Sequence, residues 1–436
     1  MSSAVRITRQ DYERVWNHLF RGTGNEEAAF LLAGSAEADG DVELLVQEVI
    51  PVPPGGFLSQ GPAHLDIDPD FMSPIIKRCR LEGRSLIDVH SHPGAGPVGF
   101  SGVDDHGDGR LLPKIQYRVP GRHHASMVMN AVHLDARIWK ANARRPERID
   151  RVVIVGQPLE VIALTPYSGR DVDLSLYDRQ IRVFGVAGQQ NIGETTIAVV
   201  GCGGLGALVA QHLVHHGAGK LILVDRDDIE ESNRPRVVGS RPSDVPAAMP
   251  KVEIARRAAN DANPQVAVTA LRASVLDEAV LAQLLAAEIV VCCTDTLESR
   301  AALNRFAFQH LRPLVDCGTD VRVTGTGRAK VLGRVMVVTP DGPCLSCVGV
   351  LDRNAMDAEE SGNARPPAPA LMAWNGVVAS FAALEVLNLL TGVKDPACQG
   401  TWTEYQGHKG ITQLRPMTTE RECAECRAIR ATGTLR

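Results

Sequence analysis

The sequence predicts an α/β protein in two units, an α+β unit followed by a doubly wound, mostly parallel-sheet unit. Three observations carry this. At 436 residues the chain exceeds what one hydrophobic core normally serves. Up to about residue 165 it is dominated by short strand-like runs. From Thr196 onward, strand and helix patterns alternate, which is the signature of βαβ units.

In chain order, apolar residues recur at helical spacing over Asp11–Phe20, and Ala29–Ala33 and Val42–Val52 read as strands. The loop PVPPGGFLSQGP leads to a helix over Pro69–Glu82 with Gly83 at its turn. Ser85–His90 is a short apolar strand that delivers HSHP at its C-terminal end. The polar, glycine-rich run Gly94–Arg110 reads as a loop that carries residues rather than core. Strands return near Ala125–Val132 and Val152–Ala163. The pattern breaks over Thr165–Asp173, dividing the chain into 1–168 and 169–436. Beyond it, strand Thr196–Val200, helix Leu205–His216 and strand Lys220–Val224 form one βαβ unit. Alternation continues through Lys251–Ala262, Gln265–Leu271, Ala279–Ala287, Ile289–Cys293 and Leu297–His310. Asp352–Ala370 has little to bury and reads as a crossing loop. Leu371–Leu390 is a small-residue-rich buried helix, since Asn375, Glu385 and Asn388 interrupt it as a membrane span.

A hydrophobic fraction of 44%, a charged fraction of 22% and a net charge of −5 are ordinary for a soluble globular chain. They give no reason to expect nucleic acid or a membrane as partner. The opening MSSAVRITRQDYERVW lacks a signal-peptide core, so a cytoplasmic location is expected. Ten cysteines in that compartment should be thiols or metal ligands rather than disulfides.

His90 and His92, at i and i+2 on a strand end, lie on the same side and can share a metal, and Asp104 adds a carboxylate from the next loop. Three protein ligands leave the fourth tetrahedral position of a zinc for water, as catalysis requires. Glu27, at the start of a neighbouring strand, is the expected proton acceptor, with Glu26 as runner-up. Ser101 would turn a hydroxyl toward a developing oxyanion, where one donor can be worth about 3 kcal/mol. In order, Glu27, H-S-H-P and S-x-x-D resemble the JAB/MPN metalloprotease family. The resemblance covers about Met1–Leu164 and implies a mixed-sheet domain that cleaves after the C-terminal glycine of ubiquitin-like proteins. Phe30 departs from it, standing where the family usually has glycine. His106, His123 and His124 gain no role from spacing.

Val199-Val200 runs into G-C-G-G-L-G, placing Gly201, Gly203, Gly204 and Gly206 in a Rossmann-like turn between strand and helix, where backbone amides can meet phosphates. Alone this turn suits a dehydrogenase equally. Asp225, 24 residues after Gly201, ends the next strand, where an acid can hold ribose hydroxyls. With S-N-R-P-R, Lys251 at a helix start and Thr294-Asp295 after a strand, the set resembles the ubiquitin-activating (ThiF-type) family, which also includes activators of sulfur-carrier proteins. That resemblance covers about Asp173–Cys426. It assigns Asn233, Arg236 and Lys251 to the triphosphate of ATP, Asp225 and Asp227 to the nucleoside, and Asp295 to Mg2+. The segment Y-D-R-Q-I-R-V-F-G matches the family's opening, which assigns Arg179 to the partner subunit's nucleotide site and implies a homodimer.

Cys344-x-x-Cys347 and Cys423-x-x-Cys426 suit a closed four-thiolate zinc with no place for water, hence a structural one. Val348–Trp374 contains no cysteine for a carrier thioester, and cysteines 79, 202, 292, 293, 317 and 398 read as small core residues. The expected whole is a bifunctional enzyme using ATP, Mg2+ and two zinc ions, one catalytic and one structural. Its partner would be a ubiquitin-like or sulfur-carrier protein ending in Gly-Gly, with a conjugating enzyme or sulfur donor downstream. A scaffold that only binds such a carrier, and a peptide-adenylating enzyme, stand as alternatives.

Overall fold

The computed structural model describes residues 2–38, 40–165, 172–325, 327–361, 369–418 and 423–435. The expected division at 168/169 lies outside the described residues, as do positions 362–368 of the expected crossing loop.

The first unit is a nine-stranded mixed sheet. Its elements are β1 (Ser3–Thr8), α1 (Arg9–Leu19), β2 (Ala28–Ala38), β3 (Asp41–Pro51), the hairpin β4 (Phe57–Gly61) and β5 (His64–Ile67), and α2 (Pro69–Glu82). There follow β6 (Ser85–Ser91), α3 (Gly102–Arg118), β7 (His124–Met129), β8 (Leu134–Trp139), β9 (Glu147–Arg148), β10 (Arg151–Val155) and β11 (Glu160–Ala163). The order is β11-β10-β1-β3-β2-β6-β7-β8-β9, with β4 and β5 paired apart. One face packs Val15 and Leu19 of α1 against Leu31, Val46 and Val89. The other packs Ile76 of α2 and Leu112 and Ile115 of α3 against Phe30, Leu32 and Leu86.

Two readings change here. The run 94–110 is a loop only up to Ser101, because Ser101 and Asp104 form a reciprocal capping box that starts α3. Leu112 and Ile115 then bury one face of that helix, and the glycines before them hid the periodicity. The single strand read over 152–163 is a hairpin, β10 pairing antiparallel with β11.

The second unit comprises α4 (Asp178–Glu194), β12 (Thr196–Val200), α5 (Gly206–His215), β13 (Lys220–Val224), α6 (Lys251–Ala262), β14 (Ala267–Leu271), α7 (Glu278–Leu284), β15 (Ile289–Cys292) and α8 (Leu297–Gln309). It continues with β16 (Leu314–Val323), β17 (Ala329–Val338), α9 (Arg353–Glu360), α10 (Met372–Thr391), β18 (Thr401–Gln406), β19 (Ile411–Pro416) and α11 (Ala424–Ile429). The sheet order is β14-β13-β12-β15-β16-β17-β18-β19. Strands β14 to β16 are parallel, and β17 to β19 extend them antiparallel. Helices cover both faces: α5 and α10 bury Leu213 and Val386 with Val199 and Val291, while α7 and α8 bury Leu284 and Phe306 with Val200 and Ile222. Helix α10 is long and apolar enough to cross a membrane, but 56% of that window is buried, through Val378, Ala382 and Val386 among others.

The units meet through charge that neither could bury alone. Arg6 of β1, fully buried, donates to Glu288 (2.6 Å) and to the Leu311 carbonyl (3.1 Å). Arg312, also fully buried, pairs with Glu43 at 2.6 Å, and Arg151 reaches Glu288 at 2.8 Å. Burial alone would raise Glu288, but the three arginines hold its carboxyl well below the ordinary glutamate range. The C-terminal segment also bridges the units, with Arg430 bound to Asp11 and Ala431 N–H donating to the Phe308 carbonyl at 2.9 Å.

Candidate functional sites

Strand β6 ends in His90 and Ser91, and His92 follows on the same side as His90. Helix α3 begins two residues before Asp104 and turns its carboxylate back toward them. His90 Nε2 lies 3.2 Å from His92 Nε2 and 3.1 Å from Asp104 Oδ1, and His92 Nε2 lies 3.3 Å from Asp104 Oδ2. A tetrahedral zinc with bonds of about 2.0–2.1 Å sets neighbouring donor atoms about 3.3 Å apart, so this trio fits that ion. Burial works to raise Asp104, but hydrogen bonds from His90, His92 and the Ser101 amide outweigh it and hold the carboxyl far below the usual range.

The carboxylate facing this trio is Glu26, the runner-up, and not Glu27, the proton acceptor expected from the sequence. Glu26 Oε1 is 3.9 Å from His92 Nε2. Glu27 is instead locked to Arg21 at 2.7 Å and Thr23 at 2.8 Å. The reason is strand parity. Ala28 pairs with His90, so the His90 face takes the even positions Glu26, Ala28 and Phe30, and Glu27 falls on the other. Burial raises the Glu26 carboxyl against the opposing pull of His92 and His90. For Glu27 burial is overcome by Arg21 and Thr23, which hold it below its ordinary range. The Ser101 hydroxyl accepts the Asp104 amide at 3.2 Å, so it serves α3 and the ligand as well as any oxyanion. Phe30 is fully buried and stacks 6.5 Å from Phe71, on the face shared with His90.

The second site lies where the strand order reverses, between β12 and β15, the usual crevice of a doubly wound sheet. Gly201 has φ +92°, and a Cβ there would sit 2.8 Å from the Cys293 carbonyl, so the turn after β12 presses on the turn after β15. A Cβ on Gly206 would meet the Gly201 carbonyl at 1.7 Å, so only glycine closes this turn. Asp225 accepts the Cys202 amide (2.7 Å) and the Asp227 amide (2.9 Å), and Asp227 pairs with Lys251 Nζ at 2.8 Å. Burial raises the Asp225 carboxyl, opposed by the Asp227 amide and Lys251. Arg236 packs on Gly204, where a Cβ would be 2.9 Å from its Cγ, while its guanidinium donates to the Ser232 carbonyl at 2.6 Å. Asn233 is buried four residues before Val237 on the same turn. Asp295 is exposed at the end of β15, and Arg179 is exposed on α4. Gly203 has open space beside it.

Sequence reasoning passed over two groups at this site. Asn375 of α10 stands 2.9 Å from where a Gly204 Cβ would be, and accepts from Thr319 at 2.8 Å. Arg300, Asp316 and the half-buried Arg334 form an ion cluster around the buried Asp316 carboxylate, next to the Thr294-Asp295 turn. The sequence does carry a signal for Asn375, a polar residue that interrupts an otherwise apolar helix.

The sulfurs of Cys344, Cys347, Cys423 and Cys426 lie within 4.8 Å of one another. Cys344 is 3.4 Å from Cys347 and 4.0 Å from Cys423, bracketing the roughly 3.8 Å edge of a four-thiolate zinc tetrahedron. Burial pushes the Cys347 thiol up to about 11, and a cation among the four sulfurs would act in the opposite direction and favour thiolates. Of the remaining cysteines, 79, 202, 292 and 317 are buried, and 293 and 398 are half-buried.

The comparisons bear on the second unit. The ThiF family model matches residues 177–428. The molybdopterin-synthase adenylyltransferase of Escherichia coli (strain K12) is 36% identical over 233 residues, 52% of this chain and 86% of that protein. The sulfur carrier protein ThiS adenylyltransferase of the same organism is 29% identical over 231 residues, 52% of this chain and 85% of that protein. In fold, the chain resembles E. coli MccB solved with MccA-N7isoASN, with a TM-score of 0.50, 21% identity, and 61% and 77% of the two chains covered. The matched residues carry the glycine turn, the acids and cation around it, and the four-cysteine cluster, and on that ground the chain belongs to the ThiF family.

Proposed function

We propose that the second unit adenylates the C-terminal glycine of a ubiquitin-like or sulfur-carrier protein with ATP, and that the first unit is a zinc peptidase of the JAB/MPN type acting after that glycine. The observation that carries the first half is a glycine turn at the strand-order reversal on which Arg236 and the backbone leading to Asp295 pack, with Lys251 paired to Asp227 beside Asp225. A carboxylate attacking the α-phosphate brings two anions together. Arg236 and Lys251 offset that repulsion, and amides of the turn hold phosphate oxygens. Asp225 accepts ribose hydroxyls, with Asn233 on the triphosphate. Magnesium held by Asp295 would supply charge neutralisation on the leaving pyrophosphate. Arg179, on the exposed start of α4, completes the site of a partner subunit in a homodimer. The names of the matched adenylyltransferases support a carrier protein as substrate. ATP–pyrophosphate exchange with carriers ending in Gly-Gly tests this: exchange should depend on the carrier and fall at least about a hundredfold in Asp295→Ala. Exchange with no carrier in the tube, or none with any, refutes it.

The peptidase half rests on the geometry of His90, His92, Asp104 and Glu26. Zinc there would supply a water with its pKa lowered to about 7. Glu26 would take that proton and return it to the leaving amine, and Ser101 remains the candidate hydroxyl toward the oxyanion. Two zinc ions per chain are expected, falling to one in a His90→Ala/His92→Ala variant. One zinc in the wild type would leave a peptidase-like fold without its chemistry.

A further inference from the structure

Between the end of β15 and the start of α8 the chain makes a three-residue approach, Cys293 to Asp295, before Thr296 caps the helix by accepting the Ser299 amide. Nothing in that turn is regular secondary structure, yet it must hold Asp295 steady at the crevice. Its carbonyls are gripped from below. Arg300, on the first turn of α8 and 7% exposed, donates Nη2 to the Thr294 carbonyl at 2.6 Å and to the Cys317 carbonyl at 3.0 Å. Its Nη1 binds the fully buried Asp316, which Arg334 also holds at 2.9 Å. The guanidinium is therefore fixed at one end by an anion it cannot leave without depriving a fully buried carboxylate of one of its two arginine partners. At the other end it fixes the carbonyl immediately before Asp295. The same turn leans on Gly201 through Cys293.

A planar, forked donor is required for this. One guanidinium reaches the carboxylate, the Thr294 carbonyl and the neighbouring strand at once, and a lysine ammonium in its place could not span all three. We propose that Arg300 is a positioning residue for the adenylation reaction: it sets the height and direction of Asp295 by holding the Thr294 carbonyl, and so governs how well the site binds magnesium with ATP. This rests on the assignment of Asp295 to magnesium made above.

The test needs no carrier. ATP binding is measured by calorimetry with Mg2+ and again with EDTA, with AMP as a metal-independent control, and Mn2+·ATP binding is followed by electron paramagnetic resonance. The quantity read is the gain in ATP affinity that the metal confers. Arg300→Lys should lower that gain about tenfold, since displacement of a group by about 1 Å can cost that and more. AMP affinity should stay within about twofold, and the Mn2+ spectrum should show weaker occupancy. Asp295→Ala should abolish the gain, and adding Arg300→Lys to it should cost nothing further, because both act on one contact. If Arg300→Lys does not fold, Gly318→Ala takes its place: the new Cβ stands 3.0 Å from Arg300 Nη2, so that nitrogen must shift by a few tenths of an ångström and its bond to the Thr294 carbonyl is strained. A folded Arg300 or Gly318 variant with the wild-type gain overturns the proposal, as does an equal loss of AMP and ATP affinity, which marks a merely structural role. A wild-type gain in Asp295→Ala overturns the magnesium assignment itself, and the Arg300 proposal falls with it.

Discussion

Three donor atoms meet at His90, His92 and Asp104, and four at Cys344, Cys347, Cys423 and Cys426, and that difference of one ligand separates two kinds of metal chemistry. The trio mixes imidazole and carboxylate, is partly exposed, and has the Glu26 carboxylate 3.9 Å away. The cysteine set is saturated by sulfur, with Cys344 and Cys426 buried, and it joins the β17–α9 connection to α11 near the end of the chain. An open set can exchange a fourth ligand. A closed one can only hold chain segments together. The comparison teaches that ligand count, burial and a nearby acid, read together, decide role where ligand convergence alone does not.

The largest effect expected from this contrast is on folding. Cys344→Ser should strip the cysteine site of an ion whose binding in such sites supplies on the order of 10 kcal/mol, so the thermal midpoint of the second unit should collapse. His90→Ala should remove one zinc per chain and leave the midpoint close to wild type. Scanning calorimetry with metal analysis on both variants checks this, and equal losses of stability would erase the distinction.

Next in size is the peptidase chemistry proposed for the open site. Glu26→Gln should lower peptidase turnover by about 10²–10⁴-fold, the usual worth of a positioned proton acceptor. Glu27→Gln should instead loosen Arg21 and keep most activity. Cleavage of a carrier precursor extended beyond Gly-Gly, assayed on both variants, decides which glutamate works. The reverse order of effects would restore Glu27.

How much of this was legible in the chain follows from which residues carry local signals. The glycine turn, HSHP and the paired Cys-x-x-Cys knuckles are short, and their chemistry dictates their spacing, so they could be read directly. The choice between Glu26 and Glu27 depended on which residue of β2 pairs with His90, a register that no local pattern specifies and that reverses the face of every side chain when shifted by one. Helix α3 was masked because Gly102, Gly107 and Gly109 dilute its apolar period, and its start is set by a capping box rather than by hydrophobicity. Arg300, Asp316 and Arg334 come from three separate elements, and nothing in their spacing announces that they meet.

The contrast also presumes that each centre answers for its own unit, and the buried charge between the units can break that presumption. Arg6→Met leaves Glu288 with one fewer partner in a buried setting, which typically costs about 3–5 kcal/mol. The loss should appear in both units' unfolding, since Glu288 precedes β15 and Arg6 lies in β1. A fall confined to the first unit, followed by calorimetry or by proteolysis of each unit, would show the units to be energetically separate.

Acid should also act unevenly, and most gently of these perturbations. His124 at the start of β7 is fully buried, accepts the Leu86 amide through Nδ1 at 3.0 Å, and is pushed down by burial to about 4. Its unfolded value is about 6.5, so between these limits the unfolded chain binds the extra proton and the folded chain does not. The contribution of neutral His124 is therefore complete above pH 6.5 and drains away as pH falls toward 4, by about 3 kcal/mol at most. The sheet that carries His90 should accordingly soften in mild acid through His124, independently of its metal. Thermal unfolding of the metal-free protein at pH 7 and pH 5 should show part of that drop, about 2 kcal/mol, in the wild type and a smaller one in His124→Asn, which keeps an acceptor for the Leu86 amide but does not titrate in this range. An identical pH dependence in the two proteins would assign the acid sensitivity to groups other than His124.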